Sequence, residues 1–226
     1  MNTQHIKTKL GQVECSIIGA GVPVLFLHGG HSNCHERLAH KGFDRQTFLL
    51  ITPSRPGYGN TPLGDSKTPQ QAADLKDKTY RIARRIFHHR VERFTWGMVR
   101  LFSELMPRVI ASNFFAEFST QPTPTLRSAD VSELVETLKA YRSGEGFLND
   151  IDHAINKQLL GKIECPTLIV HSKNDHTVSL EHPHHAHQMI SDSTLELVDN
   201  EWGHLLWLGE DAKEVTALIE RFIVTP

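Results

Sequence analysis

The chain has 226 residues, with 24 lysine and arginine against 26 aspartate and glutamate, a net charge of −2 with histidine neutral. That balance excludes the broad basic field of a nucleic-acid-binding protein, and the length suits one domain with a helical insertion. No apolar run approaches the roughly 18 residues that a membrane span needs, and the first ten residues lack the apolar stretch of a signal peptide. Cys15, Cys34 and Cys165 share no CxxC spacing, so neither a disulfide framework nor a thiolate zinc site is expected. The cytoplasm is the expected compartment.

In chain order, residues 13–18 read as a strand and Gly19-Ala20-Gly21 as a turn. They predict a hairpin with residues 22–27, V-P-V-L-F-L, whose unbroken apolar run fits a strand covered on both faces. This second strand ends in His28-Gly29-Gly30, where two glycines let backbone N–H groups approach a ligand. Residues 32–40 can open a short helix capped by Ser32 or Asn33. Residues 47–52 form the next strand and run into the breaker-rich loop Pro53 to Gly59; Thr68-Pro69 then predicts a helix over 70–75.

The texture changes at Lys76. Residues 76–93 carry seven Lys/Arg against two acids, with apolar residues at helical spacing between them. Such a helix can lie on a membrane surface, although a solvated basic face is the simpler reading. Helical periodicity continues over 96–118 with a break near Pro107, and again over 130–141. Cys165 to His171 is a second buried-strand signal, and its loop sets Asp175 just beyond the strand. A helix over 183–190, a strand over 194–198, a turn holding His204 and an amphipathic helix over 211–224 complete the chain.

Strands alternating with helices predict an α/β fold. Its sites lie beyond the carboxyl ends of parallel strands, which puts His28-Gly29-Gly30, Asp175 and His204 on one rim. A carboxylate and a histidine placed so are the supporting members of a nucleophilic triad: the acid orients the imidazole, and the imidazole takes the nucleophile's proton.

The motifs L-F-L-H-G-G at 25–30, T-P-S-R-P-G-Y-G at 52–59, C-P-T-L-I-V-H-S-K-N-D at 165–175 and E-W-G-H at 201–204 resemble the α/β-hydrolase family in order and spacing. The resemblance implies a mostly parallel sheet flanked by helices. It implies a hydrolase core divided between 1–75 and 151–226, with a helical cap over 76–150. It further implies Asp175 as triad acid, His204 as triad base, Gly30 as an oxyanion-hole backbone donor with His31 beside it, and a small ester or acyl compound as substrate. No cofactor, nucleic-acid partner or membrane span is implied.

One part of the family pattern is missing. No G-x-S-x-G elbow occurs anywhere, and Leu75 passes directly to cap-like sequence, so the central strands around the nucleophile elbow are absent. A folded chain then has to close the gap by pairing residues 22–27 with 165–171, or leave backbone unpaired. Ser32, Cys34 and Ser54 sit in loops and read as capping or packing groups rather than substitute nucleophiles. His182, His184, His185 and His187 read as a solvated surface rather than a metal site, since no second cluster supplies further ligands. Three readings stay open: a hydrolase with an unassigned nucleophile, a non-catalytic or internally deleted member that binds a small molecule or a partner, and, more distantly, a membrane-surface or interaction protein using residues 76–93.

Overall fold

The computed structural model describes residues 3–9, 11–64, 85–88, 90–123, 126–151 and 157–224. The helix expected over 70–75 and most of the basic stretch over 76–93 lie outside the described residues. In order, the elements are β1 (Thr3–Thr8), β2 (Gly11–Gly19), β3 (Val22–Leu25), β4 (Phe48–Pro53), α1 (Glu92–Leu105), α2 (Pro107–Phe118), α3 (Ser128–Ala140), α4 (Gly146–Ile151), β5 (Thr167–Ser172), α5 (Glu181–Met189), β6 (Ser193–Val198) and α6 (Ala212–Val224). Among the described residues no strand lies between β4 and β5. The chain forms two compact units.

The first unit holds a four-stranded sheet in the order β1-β2-β4-β3. The expected hairpin between the second and third strands is not formed, because β4 pairs with both: antiparallel to β2 and parallel to β3. Gly19 and Gly21, both at positive φ, instead carry the chain over the β4 entrance, where an added Cβ would meet the carbonyls of Phe48 and Thr47. The hairpin lies one strand earlier, between β1 and β2. β4 shows why it is central: Phe48, Leu50 and Thr52 alternate into the core.

β3 is also not the covered strand that its apolar run predicts. It ends the sheet, with Leu25 and Leu27 62% and 67% exposed. The amides of Val22 and Phe26 donate to Thr47 and Ile51, so alternation turns Pro23 toward the free edge, where a residue without an N–H is tolerated.

The second unit holds the parallel pair β5-β6 with α5 and α6. The closure expected between 22–27 and 165–171 is therefore replaced by two separate sheets. The physical reason lies in β3, which carries Pro23 and the exposed Leu25 and leads into the exposed Leu27: edge backbone open to solvent does not carry the desolvation cost that would force closure. The core of the second unit gathers Phe115, Leu134, Trp202, Leu208 and Val215, all under 5% exposed.

Candidate active site

The second unit builds its site on the loop after β5. The Ser172 hydroxyl accepts the Asn174 amide at 3.0 Å, and the Lys173 amide donates to Val198 on β6. This turn presents Asp175. One carboxylate oxygen, Oδ1, accepts the amides of Thr177 and Val178, each at 2.8 Å. The other, Oδ2, lies 2.8 Å from His204 Nδ1 and 3.6 Å from His171 Nε2. The Asp175 side chain is 4% exposed and that of His204 40%.

His204 is held from the opposite side. Its amide donates to the Phe118 carbonyl at 2.9 Å, and its ring stacks on the Phe118 ring with centroids 5.6 Å apart and planes inclined by 19°. Gly203 makes the approach possible: at φ +55° it passes so close to Phe118 and Asn174 that a Cβ would lie 2.3 and 2.6 Å from their carbonyl oxygens. Asn174 donates its amide hydrogens to Asp199 and to the Asn200 carbonyl, and Asn200 donates to the Gly203 carbonyl. The Ser119 hydroxyl donates to the Glu201 carbonyl. Two loops and the end of α2 are thereby tied into one frame.

With Asp175 accepting from Nδ1–H, the tautomer is set and the lone pair falls on Nε2, the nitrogen able to take a proton from a reacting group. The structure thus brings together Asp175 and His204, as the sequence predicts. Phe118, Asn174 and His171 were not anticipated as members. Asn174 and His171 flank Asp175 within the quoted motif, whereas nothing local in the sequence announces that the end of α2 packs on the His204 loop.

Gly30 and His31 belong to the first unit. His31 takes φ +67°, unique among the described non-glycine residues. Its ring packs on Phe147, Phe87 and Trp96 at centroid distances of 3.9, 4.5 and 5.3 Å. Its Nδ1 lies 2.9 Å from the Ser143 hydroxyl, which accepts the Trp96 indole N–H at 2.8 Å. Burial pulls the His31 imidazole down to about 4, so it sits neutral, paired with the Ser143 hydroxyl. His28 is a fastener: its Nδ1 donates to the Gly29 carbonyl and its Nε2 accepts the Arg55 amide, tying the end of β3 to the loop after β4. Burial, foremost, holds His28 below the usual imidazole value.

The loop serines and Cys34 are committed elsewhere. Ser54 Oγ accepts the Cys34 amide and donates to Glu14, and Ser32 Oγ donates to Glu36. The cap expected at Ser32 or Asn33 is supplied instead by Glu36, whose carboxylate receives the amides of Leu38 and Ala39 in a 3-10 turn. Burial pushes the Cys34 thiol up to about 11, far from a thiolate. Cys34, Glu14 and His35 offer ligand atoms within 4.8 Å of one another. The Glu14 carboxylate, however, already accepts from Ser54 and from both nitrogens of Asn60. Burial would raise the Glu14 carboxyl, but these hydrogen bonds hold it below the usual carboxylate value. The cluster is a buried clamp and does not fit a metal centre. In α5, the His187 ring bonds to Ser193.

No family model matches the chain. An uncharacterized hydrolase, YcgS, from Bacillus subtilis is 30% identical over 271 aligned positions, covering 94% of this chain and 95% of that protein. Because this chain has 226 residues, at least 45 of those 271 positions fall opposite gaps inside the matched span. An alpha/beta hydrolase fold protein from Nakamurella multipartita superposes with a TM-score of 0.71 at 25% identity, covering 98% of this chain and 99% of that one. An esterase from Thermogutta terrifontis superposes with a TM-score of 0.62 at 15% identity over 100% of both chains.

Proposed function

The chain belongs to the α/β-hydrolase family, and from that premise we propose that it retains the acid–base half of an acyl-hydrolysing site while lacking the nucleophile. Asp175 is the orienting acid and His204 the base, as the 2.8 Å bond between Oδ2 and Nδ1 supports. Gly30 is the oxyanion-hole backbone donor with His31 beside it, and residues 76–150 are the cap. The ligand class is a small ester or related acyl compound, and the compartment is the cytoplasm.

The observation that carries the loss of the nucleophile is the sequence itself. A Ser, Cys or Asp on a strand-to-helix elbow is required to present a nucleophile to the imidazole, and no G-x-S-x-G stands anywhere in the chain. The three loop candidates, Ser32, Cys34 and Ser54, are buried at 5, 0 and 1% exposure and hydrogen-bonded within the first unit. The gaps opposite YcgS support the same reading, because a strand–elbow–helix–strand segment is of about that size. Without a nucleophile, Nε2 of His204 has no hydroxyl to deprotonate, and the site is left to hold ligand without forming an acyl-enzyme.

The test pairs a fluorophosphonate probe with p-nitrophenyl acetate, applied to the full chain and to His204→Ala. The expected result is no covalent labelling and equal, background turnover by both proteins. One-to-one labelling together with turnover that His204→Ala abolishes would overturn the reading.

A further inference from the structure

α1 is turned inside out. The face it buries carries Glu92, Trp96 and Ser103, at 6, 4 and 0% exposure. Trp96 is anchored there through its indole N–H on Ser143, and Arg100 adds two bonds to the carbonyls of Lys139 and Tyr141. The opposite face is apolar and open. Val91, Phe94, Leu101 and Leu105 follow a spacing that returns to one side of a helix, and Phe94 and Leu105 are 70 and 66% exposed. Met98 stands between them on the same line. Gly97, next to it, has nothing within 4 Å of where a Cβ would sit. A helix that only stabilised the fold would bury the apolar side. Burying Glu92 and Ser103 while Phe94 stays in water is costly for a free monomer.

Charge says what covers the stripe. At its N-terminal end Arg85, Arg90 and Arg93 are exposed, while of the two acids on the helix Glu92 is buried and only Glu104, at the far end, is exposed. A second copy of this chain would bring the same arginines to the contact with one exposed acid on the helix to meet them. An anionic lipid surface meets both features at once, since acyl chains accept Phe94, Leu101 and Leu105 and headgroups accept the guanidinium groups. We propose that the outward face of α1 is a peripheral membrane-docking surface for anionic lipid. No helix among the described residues is long and apolar enough to cross a membrane, so the contact is superficial and reversible. The proposal is independent of whether the Asp175–His204 site turns over.

Co-sedimentation of the full chain with phosphatidylcholine vesicles, with and without phosphatidylglycerol, tests it. Binding is expected to the phosphatidylglycerol vesicles alone and to fall about tenfold between roughly 0.05 M and 0.5 M salt. A Phe94→Ser/Leu101→Ser variant is expected to lose binding about tenfold with an unchanged circular dichroism spectrum, because both side chains are outside the core. An Arg90→Gln/Arg93→Gln variant is expected to lose the preference for phosphatidylglycerol. Wild-type protein remaining in the supernatant with both vesicles, or equal binding by the serine variant, overturns the proposal. So does a dimer in sedimentation velocity that the serine variant disperses while vesicles go unbound; that result would assign the stripe to a second copy.

Discussion

Replacing Gly203 by alanine separates the two demands that the His204 loop makes on its backbone. At φ +55° any L-residue is strained, at a cost of about 1–2 kcal/mol. The new methyl would also sit 2.3 Å from the Phe118 carbonyl oxygen and 2.6 Å from that of Asn174, both rigid backbone atoms. Relieving that overlap costs about a further 1–3 kcal/mol. Gly64 is the control, because at φ +54° it carries the same strain with nothing within 4 Å. For a chain of this length 1 kcal/mol moves Tm by about 2–4 °C. Gly203→Ala should therefore melt roughly 4–20 °C lower and Gly64→Ala roughly 2–8 °C lower, both measured by calorimetry. Since Gly203 adjoins His204, the Gly203→Ala variant should also lose the downfield proton resonance of the Nδ1–H···Asp175 bond. A Gly203→Ala melting point no lower than that of Gly64→Ala would refute the close-approach argument.

Stability should fall in acid through His31 and His40. Burial, foremost, holds each imidazole at about 4, and the His40 ring nitrogen bonds to Thr52 Oγ1 inside the first unit. Because the folded value lies below the ordinary one near 6.5, the unfolded chain binds more protons across that interval. The stabilisation is thus complete above about pH 6.5 and lost as pH falls toward 4. Urea midpoints recorded over this window should decline in the wild type and decline less in His40→Gln. Glu14→Ala should destabilise by about 2–4 kcal/mol in urea titrations, since it strips partners from Ser54 and both Asn60 nitrogens in a buried clamp. Asp175→Asn should move the His204 ring from the Nδ1–H tautomer to a mixture, read from nitrogen-15 shifts of the imidazole, because the acceptor that fixes it at 2.8 Å is replaced.

Local order was legible in the sequence where a residue's role depends on its neighbours in the chain. β4, β5 and β6 follow apolar runs, α2 begins at Pro107 where the periodicity breaks, and the Asp175 and His204 loops follow their strands. What escaped were relations between distant segments. The pairing of β4 between β2 and β3 depends on glycines that look the same in a hairpin turn and in a crossing over a neighbouring strand. The stack of Phe118 on His204 joins positions 86 residues apart, and Phe118 carries the same apolar signal as any core aromatic.

β3 exposes the reason more sharply. Its apolar run is the signature of a strand with neighbours on every side, and in this chain it stands at an edge with Leu25 and Leu27 in water. The sequence of a strand records the sheet in which it was selected; its burial records the sheet in which it now sits. At β3 the two disagree: an apolar run stands at the end of its sheet among the described residues. The Asp175–His204 pair carries no such mismatch. Every group that orients it, from Thr177 and Val178 to Phe118 and Gly203, lies within one compact unit. The bond between Asp175 and His204 is thus set by groups of the unit that holds both.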